Sequence, residues 1–165
     1  MTAETQKYQP EEALRVLRRA GLFKGLADTA LQSVVEVAQS VKVPAGESLF
    51  EEGDAGDAFY VMAYGVMALV KAVPGGGEEK LAVRRAGDAF GEMAILNNAP
   101  RSATARAVED SGLLLVPRKD FEALLGGDGL SLRIMKALST ALRALDVRFV
   151  HLEHELLSAA QAGGS

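Results

Sequence analysis

The sequence predicts a mainly β domain flanked by helices, and three observations support this class. Between residues 40 and 117, glycines recur at short intervals and separate apolar runs of strand length. The segments on either side instead carry apolar residues at helical spacing. The chain has 165 residues, of which 48% are hydrophobic, so it can bury one ordinary core. Many short strands at regular turn spacing are typical of a sandwich, roll or barrel.

Residues 1–39 are expected to form an N-terminal helical segment. A first helix should begin near Pro10, with acidic residues in its first turn, and should end at Gly21. Asp28 is expected to cap a second amphipathic helix. The apolar face of that helix would consist of Leu31, Val34, Val35 and Ala38.

Six strands are predicted between residues 40 and 117. They are expected at residues 48–51, 58–63, 66–73, 78–84, 103–108 and 113–117. Residues 74–77 lack the Lys-Ser/Thr ending of a nucleoside-triphosphate loop and are therefore interpreted as a hairpin connection. One helical turn, at residues 91–96, interrupts the β region.

The C-terminal part is predicted to be helical. A short helix at residues 118–125 is followed by two glycines and then by a long helix at residues 128–158, with a mobile tail at 159–165. The spacing along the long helix indicates a heptad pattern that favours a homodimer. Its apolar positions are Leu138, Leu142, Leu145, Phe149, Leu152 and Leu156. Alternatively, this face packs on the β domain of its own chain.

Residues 90–104 carry the most informative motif. Gly91 opens a short helical turn, so backbone N–H groups there can approach an anion. Arg101 and Ser102 follow the turn and could donate to a singly charged phosphodiester. Glu92 would repel a phosphate but could accept from a ribose hydroxyl. In the alternative interpretation, Gly91 only turns the chain, Glu92 caps a helix and Arg101 is a solvated charge.

This segment resembles the phosphate-binding cassette of the cyclic-nucleotide-binding domain. That family includes the catabolite activator protein, the regulatory subunits of cAMP-dependent protein kinase and cyclic-nucleotide-gated channels. The resemblance is nearly continuous over residues 90–104, and the turns around Gly53, Gly56 and Gly65 also match. It covers about residues 22–125 and implies a β-roll, or jelly-roll (double-stranded β-helix), for residues 40–125.

The resemblance also implies roles for individual residues. Glu92 would hold the ribose 2′-hydroxyl, and Arg101 and Ser102 would hold the phosphate oxygens. Backbone amides in the cassette would complete the phosphate cradle, and two leucines on neighbouring strands would form an apolar wall under the base. The implied ligand-binding residues are Gly91, Glu92, Met93, Ala94, Arg101, Ser102, Ala103, Leu69 and Leu81.

Two departures from the family limit these implications. The catabolite activator continues into a DNA-binding domain, whereas this chain is expected to lack one. The catabolite activator also contacts the adenine through a Thr-Ser pair, and the matching positions in this chain are Asp146 and Val147. The base contact therefore stays open between Asp146, Arg143, Arg148 or no residue. Ser102 after the cassette arginine favours cAMP over cGMP.

Composition and motifs weigh against several other functions. The net charge is −4 and the 18 Lys and Arg residues are scattered, which argues against a nucleic-acid partner. The chain has no cysteine, no signal sequence is visible and no apolar run has membrane length, so a cytoplasmic location without membrane contact is expected. His151 and His154 lack further ligands for a zinc site.

The leading hypothesis is a stand-alone cyclic-nucleotide sensor that is not an enzyme and needs no cofactor or metal. It would signal to an unidentified effector protein through its long C-terminal helix. The alternative is a constitutive homodimerisation module with a vestigial pocket or a pocket for a different ligand. A phosphodiesterase is disfavoured because the sequence offers no metal cluster.

Overall fold

A computed structural model of the protein describes residues 5–126. Several sequence predictions therefore lie outside the described residues. They are the long helix at 128–158 with its six apolar positions, the candidate base contacts at 143–148, the two histidines and the tail at 159–165.

The described residues form nine strands, all paired in antiparallel fashion. The strands are β1 (Thr5–Lys7), β2 (Gln39–Val43), β3 (Ser48–Phe50), β4 (Ala58–Tyr64), β5 (Val66–Ala72), β6 (Glu78–Arg85), β7 (Ala89–Phe90), β8 (Thr104–Ala107) and β9 (Ser111–Pro117). They build a five-stranded sheet in the order β1-β2-β9-β4-β7 and a four-stranded sheet in the order β3-β8-β5-β6. The predicted mainly β roll with flanking helices is confirmed.

Four α-helices flank or interrupt the strands. They are α1 (Pro10–Arg19), α2 (Asp28–Val37), α3 (Glu92–Leu96) and α4 (Arg118–Leu125), with a 3₁₀ turn at Gly21–Phe23. Within residues 5–126, no helix has the length and apolarity needed to cross a membrane.

The prediction that Asp28 caps α2 is wrong. The residue before the helix is Ala27, and no side chain bonds the first free N–H groups. Asp28 instead lies in the first turn, where a carboxylate faces the positive end of the helix dipole. It also accepts a hydrogen bond from Arg18 of α1 at 3.1 Å, so it links the two N-terminal helices.

Strand β4 lies between two apolar clusters. Phe59 and Val61 point toward the helices, where Phe59 stacks on Phe121 of α4 with ring centroids 4.8 Å apart. Tyr60 and Met62 point into the interior of the roll. Because side chains alternate along a strand, one strand joins the helical layer to the roll interior.

Three strands escaped the sequence analysis. The strand β1 has only exposed residues, and β7 is two residues long, so neither carries a usable alternation. In β2 the buried residues are Val41 and Val43, which gives too short a pattern to identify a strand. Pairing with β9, far away in the sequence, is what stabilises β2.

Candidate functional site

The cassette begins at a backbone turn that requires glycine. Gly91 precedes α3 with a φ of +90°, in the left-handed region. A Cβ placed there would lie 2.9 Å from Arg101 Nη1 and 3.2 Å from the carbonyl oxygen of Ala58. The glycine therefore allows the chain to turn sharply and the Arg101 guanidinium to approach its backbone.

Arg101 is the most deeply buried charged residue of the site, with 3% of its surface exposed. Its Nη1 donates to the Gly91 carbonyl at 3.0 Å, and its Nη2 donates to the Ala58 carbonyl at 2.7 Å. Nη2 also lies 3.4 Å from Oδ1 of Asp57, whose side chain is largely exposed. The Nε–H is buried and has no hydrogen-bond partner. A buried donor without an acceptor lowers stability unless a ligand supplies the acceptor.

Aromatic rings hold the guanidinium in place from the interior of the roll. Its Cζ lies 4.2 Å from the centroid of the Phe50 ring and 5.4 Å from that of Tyr60. Tyr60 in turn stacks on Phe90 with ring centroids 5.5 Å apart. Burial raises the pKa of the Tyr60 hydroxyl to about 12, although the nearby Arg101 charge opposes the shift. Tyr60 is therefore a neutral packing partner of a fixed cation.

Glu92 lies in the first turn of α3, close to two arginines. Burial raises the pKa of its carboxyl above the ordinary value, while its own backbone N–H and the charges of Arg84 and Arg101 act in the opposite direction. A carboxylate that is desolvated but kept near cations is a strong hydrogen-bond acceptor.

These groups line one open cleft of about 490 Å³, measured out to its mouth. Eight of the nine residues that the sequence analysis assigned to the ligand lie along it, and Leu81 does not. Three further residues line the cleft without having been predicted from the sequence: Phe50, Arg84 and Phe90.

Leu81 lies outside the cleft because of a β-bulge. Leu69 pairs with Ala82, but Val70 pairs with Lys80, so Leu81 is the extra residue of β6. Its side chain is 42% exposed. Leu69, on β5, does line the cleft, so the structure brings only one of the two predicted wall residues to the site.

Arg84 reaches the cleft through the alternation of β6. It pairs with Met67, which is fully buried, so both side chains lie on the inner face of the sheet. Its Nε is buried without a hydrogen-bond partner among the described residues. In the sequence the apolar residues Leu81 and Val83 alternate with Arg84, so an unbroken pattern places Arg84 on the outer face and gives no local signal for it.

The cassette is also tied to α4. The backbone N–H of Arg118 donates to the carbonyl of Asp57 at 2.8 Å. The Arg118 guanidinium donates to the side-chain oxygen of Asn98, which follows α3, at 2.7 Å. The helix that ends the described chain thus contacts both the loop beside Arg101 and the end of the cassette.

The lining charges indicate which ligands the cleft suits. The lining side chains include two arginines and one carboxylate, and the exposed Asp57 carboxylate offsets only part of the Arg101 charge, so the cleft suits a singly charged anion. The carboxylate can accept from a hydroxyl while the Arg101 Nε–H donates to an anionic oxygen. Among residues 5–126, no group of three or more His, Cys, Asp or Glu side chains could hold a metal ion.

Comparisons with known proteins agree with this geometry. A family model described as the cyclic nucleotide-binding domain matches residues 40–128. The cyclic AMP receptor protein of Thermus thermophilus is 36% identical over 88% of this chain and 66% of its own length. The crystal structure of the Thermus catabolite activator protein superposes with a TM-score of 0.74, at 36% identity, over 80% of this chain and 62% of that one.

A second solved structure carries a ligand. The regulatory domain of Toxoplasma gondii PKA, crystallised with cAMP, has a TM-score of 0.65 and 37% identity over 70% of this chain and 44% of that one. The chain spans less than two thirds of the length of the curated relatives it matches.

Proposed function

Because the chain belongs to the cyclic nucleotide-binding domain family, we propose that it binds a cyclic nucleotide monophosphate as a signal and does not transform it. The observation that carries this proposal is Arg101. Its guanidinium is buried, fixed by two backbone carbonyls, and retains an unpaired Nε–H beside an open cleft.

The phosphate belongs at Arg101. Burying a guanidinium is unfavourable unless its charge is compensated, and the largely exposed Asp57 supplies only a long contact of 3.4 Å. A cyclic phosphate would supply a full negative charge and an acceptor for Nε–H. Ser102 and the backbone amides of Gly91, Ala94 and Ala103 would complete the cradle, since all four residues line the same cleft.

The ribose belongs at Glu92. Its carboxylate shares the cleft with Arg101 but would repel a phosphate at contact distance, so a hydroxyl is the suitable partner. Arg84 offsets part of the cost of keeping Glu92 ionised in a desolvated position. Leu69, Phe50 and Met93 supply apolar surface for the rest of the ligand.

We favour cAMP over cGMP. Serine after the cassette arginine, here Ser102, occurs in cAMP-binding members of the family. The names of two similar proteins, the Thermus receptor and the Toxoplasma regulatory domain, also refer to cAMP. The base contact, at Asp146, Arg143 or Arg148 if any, belongs to residues outside the described part.

The proposed output is a protein partner in the cytoplasm. Ligand binding would reposition the predicted helix at 128–158, through which two copies pair, and so change contact with an effector. The alternative, a constitutive dimerisation module with a vestigial pocket, is disfavoured because Glu92, Arg101 and an open cleft occur together.

Calorimetric titration of the full chain with cAMP, cGMP and cyclic di-GMP tests the proposal. We expect saturable binding of cAMP with one site per chain, weaker binding of cGMP and none of the dinucleotide. Linear 5′-AMP, with its second phosphate charge, is the matched control and should bind more weakly. Light scattering with and without ligand measures the mass. A folded dimer that binds none of the four would favour the alternative.

A further inference from the structure

The phosphate end of the cleft is completed by a short stretch of backbone. Ser102 and Ala103 connect Arg101 to the first residue of β8, and both line the cleft. On either side of them the chain is fixed by bonds to the loop after β3. The N–H of Arg101 donates to the Asp54 carbonyl at 2.8 Å, and Thr104 Oγ1 accepts from the Glu52 N–H at 2.9 Å.

The peptide between Ser102 and Ala103 is held by a side chain from another strand. Lys71, near the end of β5, donates from Nζ to the Ser102 carbonyl at 3.0 Å. Among the described residues, this carbonyl has no other hydrogen-bond donor. Among the described residues, Lys71 is therefore the one side chain that bonds this peptide group.

Lys71 is itself held in place by Glu52. The Glu52 Oε1 lies 3.2 Å from Nζ of Lys71, and its Oε2 accepts from the Ala72 backbone N–H at 3.1 Å. These two contacts, the backbone bond first, lower the pKa of the Glu52 carboxyl. A carboxylate fixed at both oxygens restricts the rotamers of the lysine that it contacts.

Because a peptide group is planar, the Lys71 contact also determines the direction of the Ala103 N–H. In a trans peptide, the C=O and the following N–H point in opposite directions. Since the Ser102 carbonyl oxygen points to Lys71 Nζ, the Ala103 N–H points away from that nitrogen. That N–H has no acceptor among the described residues, and Ala103 is 7% exposed. A buried backbone donor without a partner is rare in folded proteins.

We propose that Lys71 is a positioning residue for the ligand phosphate: by holding the Ser102 carbonyl it aims the Ala103 N–H at one exocyclic phosphate oxygen. The inference rests on the proposed function, because it presupposes a phosphate in the cleft. Lys71 contributes through orientation rather than through its charge, since Glu52 neutralises that charge locally.

The test compares Lys71→Met with Lys80→Met at 150 mM salt. Lys80 lies on the adjacent strand β6, opposite Val70, and makes no hydrogen bond or ion pair within residues 5–126. The control thus removes the same charge from nearby surface. Titration with cAMP should show affinity about three- to tenfold lower in Lys71→Met, as expected for one weakened hydrogen bond, and unchanged in Lys80→Met.

A second readout separates orientation from general weakening. The two phosphorothioate diastereomers of cAMP each replace a different exocyclic oxygen by sulfur. If the Ala103 N–H donates to only one of these oxygens, the ratio of the affinities for the two diastereomers should change in Lys71→Met. Lys71→Arg, which can still donate, should restore the wild-type ratio. Glu52→Gln, which releases the ammonium, should move the ratio in the same direction as Lys71→Met.

An unchanged ratio in Lys71→Met, or equal losses in Lys71→Met and Lys80→Met, would overturn the positioning role. Thermal unfolding of each variant shows that it is folded. If Lys71→Met fails to fold, Glu52→Gln decides the question by the same ratio. Absence of cAMP binding by the wild-type chain would refute the proposed function itself, a different result from binding that ignores Lys71.

Discussion

Replacing Arg101 by lysine keeps the buried positive charge but removes the planar fork and the Nε–H. In the structure, three nitrogens of Arg101 have separate tasks: Nη1 bonds the Gly91 carbonyl, Nη2 bonds the Ala58 carbonyl, and Nε has no partner. Lysine has one nitrogen on a longer flexible stem, so it cannot serve all three positions. The variant therefore tests geometry at constant charge.

The contacts set the expected magnitude. One charge-assisted hydrogen bond to the ligand contributes about 1.5–3 kcal/mol, so cAMP affinity should fall by about 2–3 kcal/mol, or roughly 30- to 150-fold. The free energy of unfolding should fall by less than the free energy of cAMP binding. One of the two backbone carbonyls loses its donor, and this should lower the free energy of unfolding by about 1–2 kcal/mol.

Calorimetry measures the affinity, and urea denaturation without ligand measures the stability. Arg106→Lys is the matched control, because Arg106 on β8 also makes two bonds, to Glu78 at 2.6 and 3.0 Å, but on the exposed surface. It should leave cAMP affinity unchanged. A folded Arg101→Lys variant with wild-type affinity would refute the assignment of the phosphate to Arg101.

Two further substitutions probe the same cleft. Glu92→Gln should weaken cAMP binding and abolish the preference for cAMP over 2′-deoxy-cAMP in calorimetry; a surviving preference would show that Glu92 does not contact that hydroxyl. Burial raises the pKa of Glu92, so ionisation of its carboxyl lowers the stability of the folded state as the pH rises through that pKa. Gln does not ionise, so ligand-free Glu92→Gln should melt at a higher temperature than the ligand-free wild type at pH 7. Gly91→Ala should lower both stability and affinity, since its Cβ would meet Arg101 Nη1 at 2.9 Å. Gly75 has the same φ of +90°, but a Cβ there would meet no atom within 4 Å, so Gly75→Ala is the control for backbone strain alone. If the two variants lost equal stability and had the same cAMP affinity, the contact between Gly91 and Arg101 would not matter.

Local patterns predicted much of the fold. The helix at residues 118–125 and the strands that became β4, β5 and β6 agree with the structure to within one residue at each end. Each of these elements carries its own signal: a proline before the helix, or glycines at the turns between strands. The strands that escaped prediction, β1, β2 and β7, depend on partners far away in the sequence.

The site could be predicted mainly where its residues are adjacent in sequence; outside the cassette, the family resemblance identified Leu69 alone. The cassette from Gly91 to Ala103 is continuous, and its residues do line one cleft. Arg84 and Phe50 reach that cleft from other strands, and nothing local distinguishes them from surface or core residues. The family resemblance implies that Leu81 shares the apolar wall with Leu69, but the bulge that displaces Leu81 is a property of this strand pair.

Because β4 is buried on both of its faces, the helical layer and the cleft form a single cooperative unit. Its residues from Ala58 to Met62 are all buried, so this stretch has no solvent-facing position at which a polar replacement would be tolerated. Local opening that freed the Ala58 carbonyl from Arg101 would disturb Phe59 and its stack on Phe121. Ligand bound at Arg101 should therefore protect amides in the helices as well as in the cassette from hydrogen exchange.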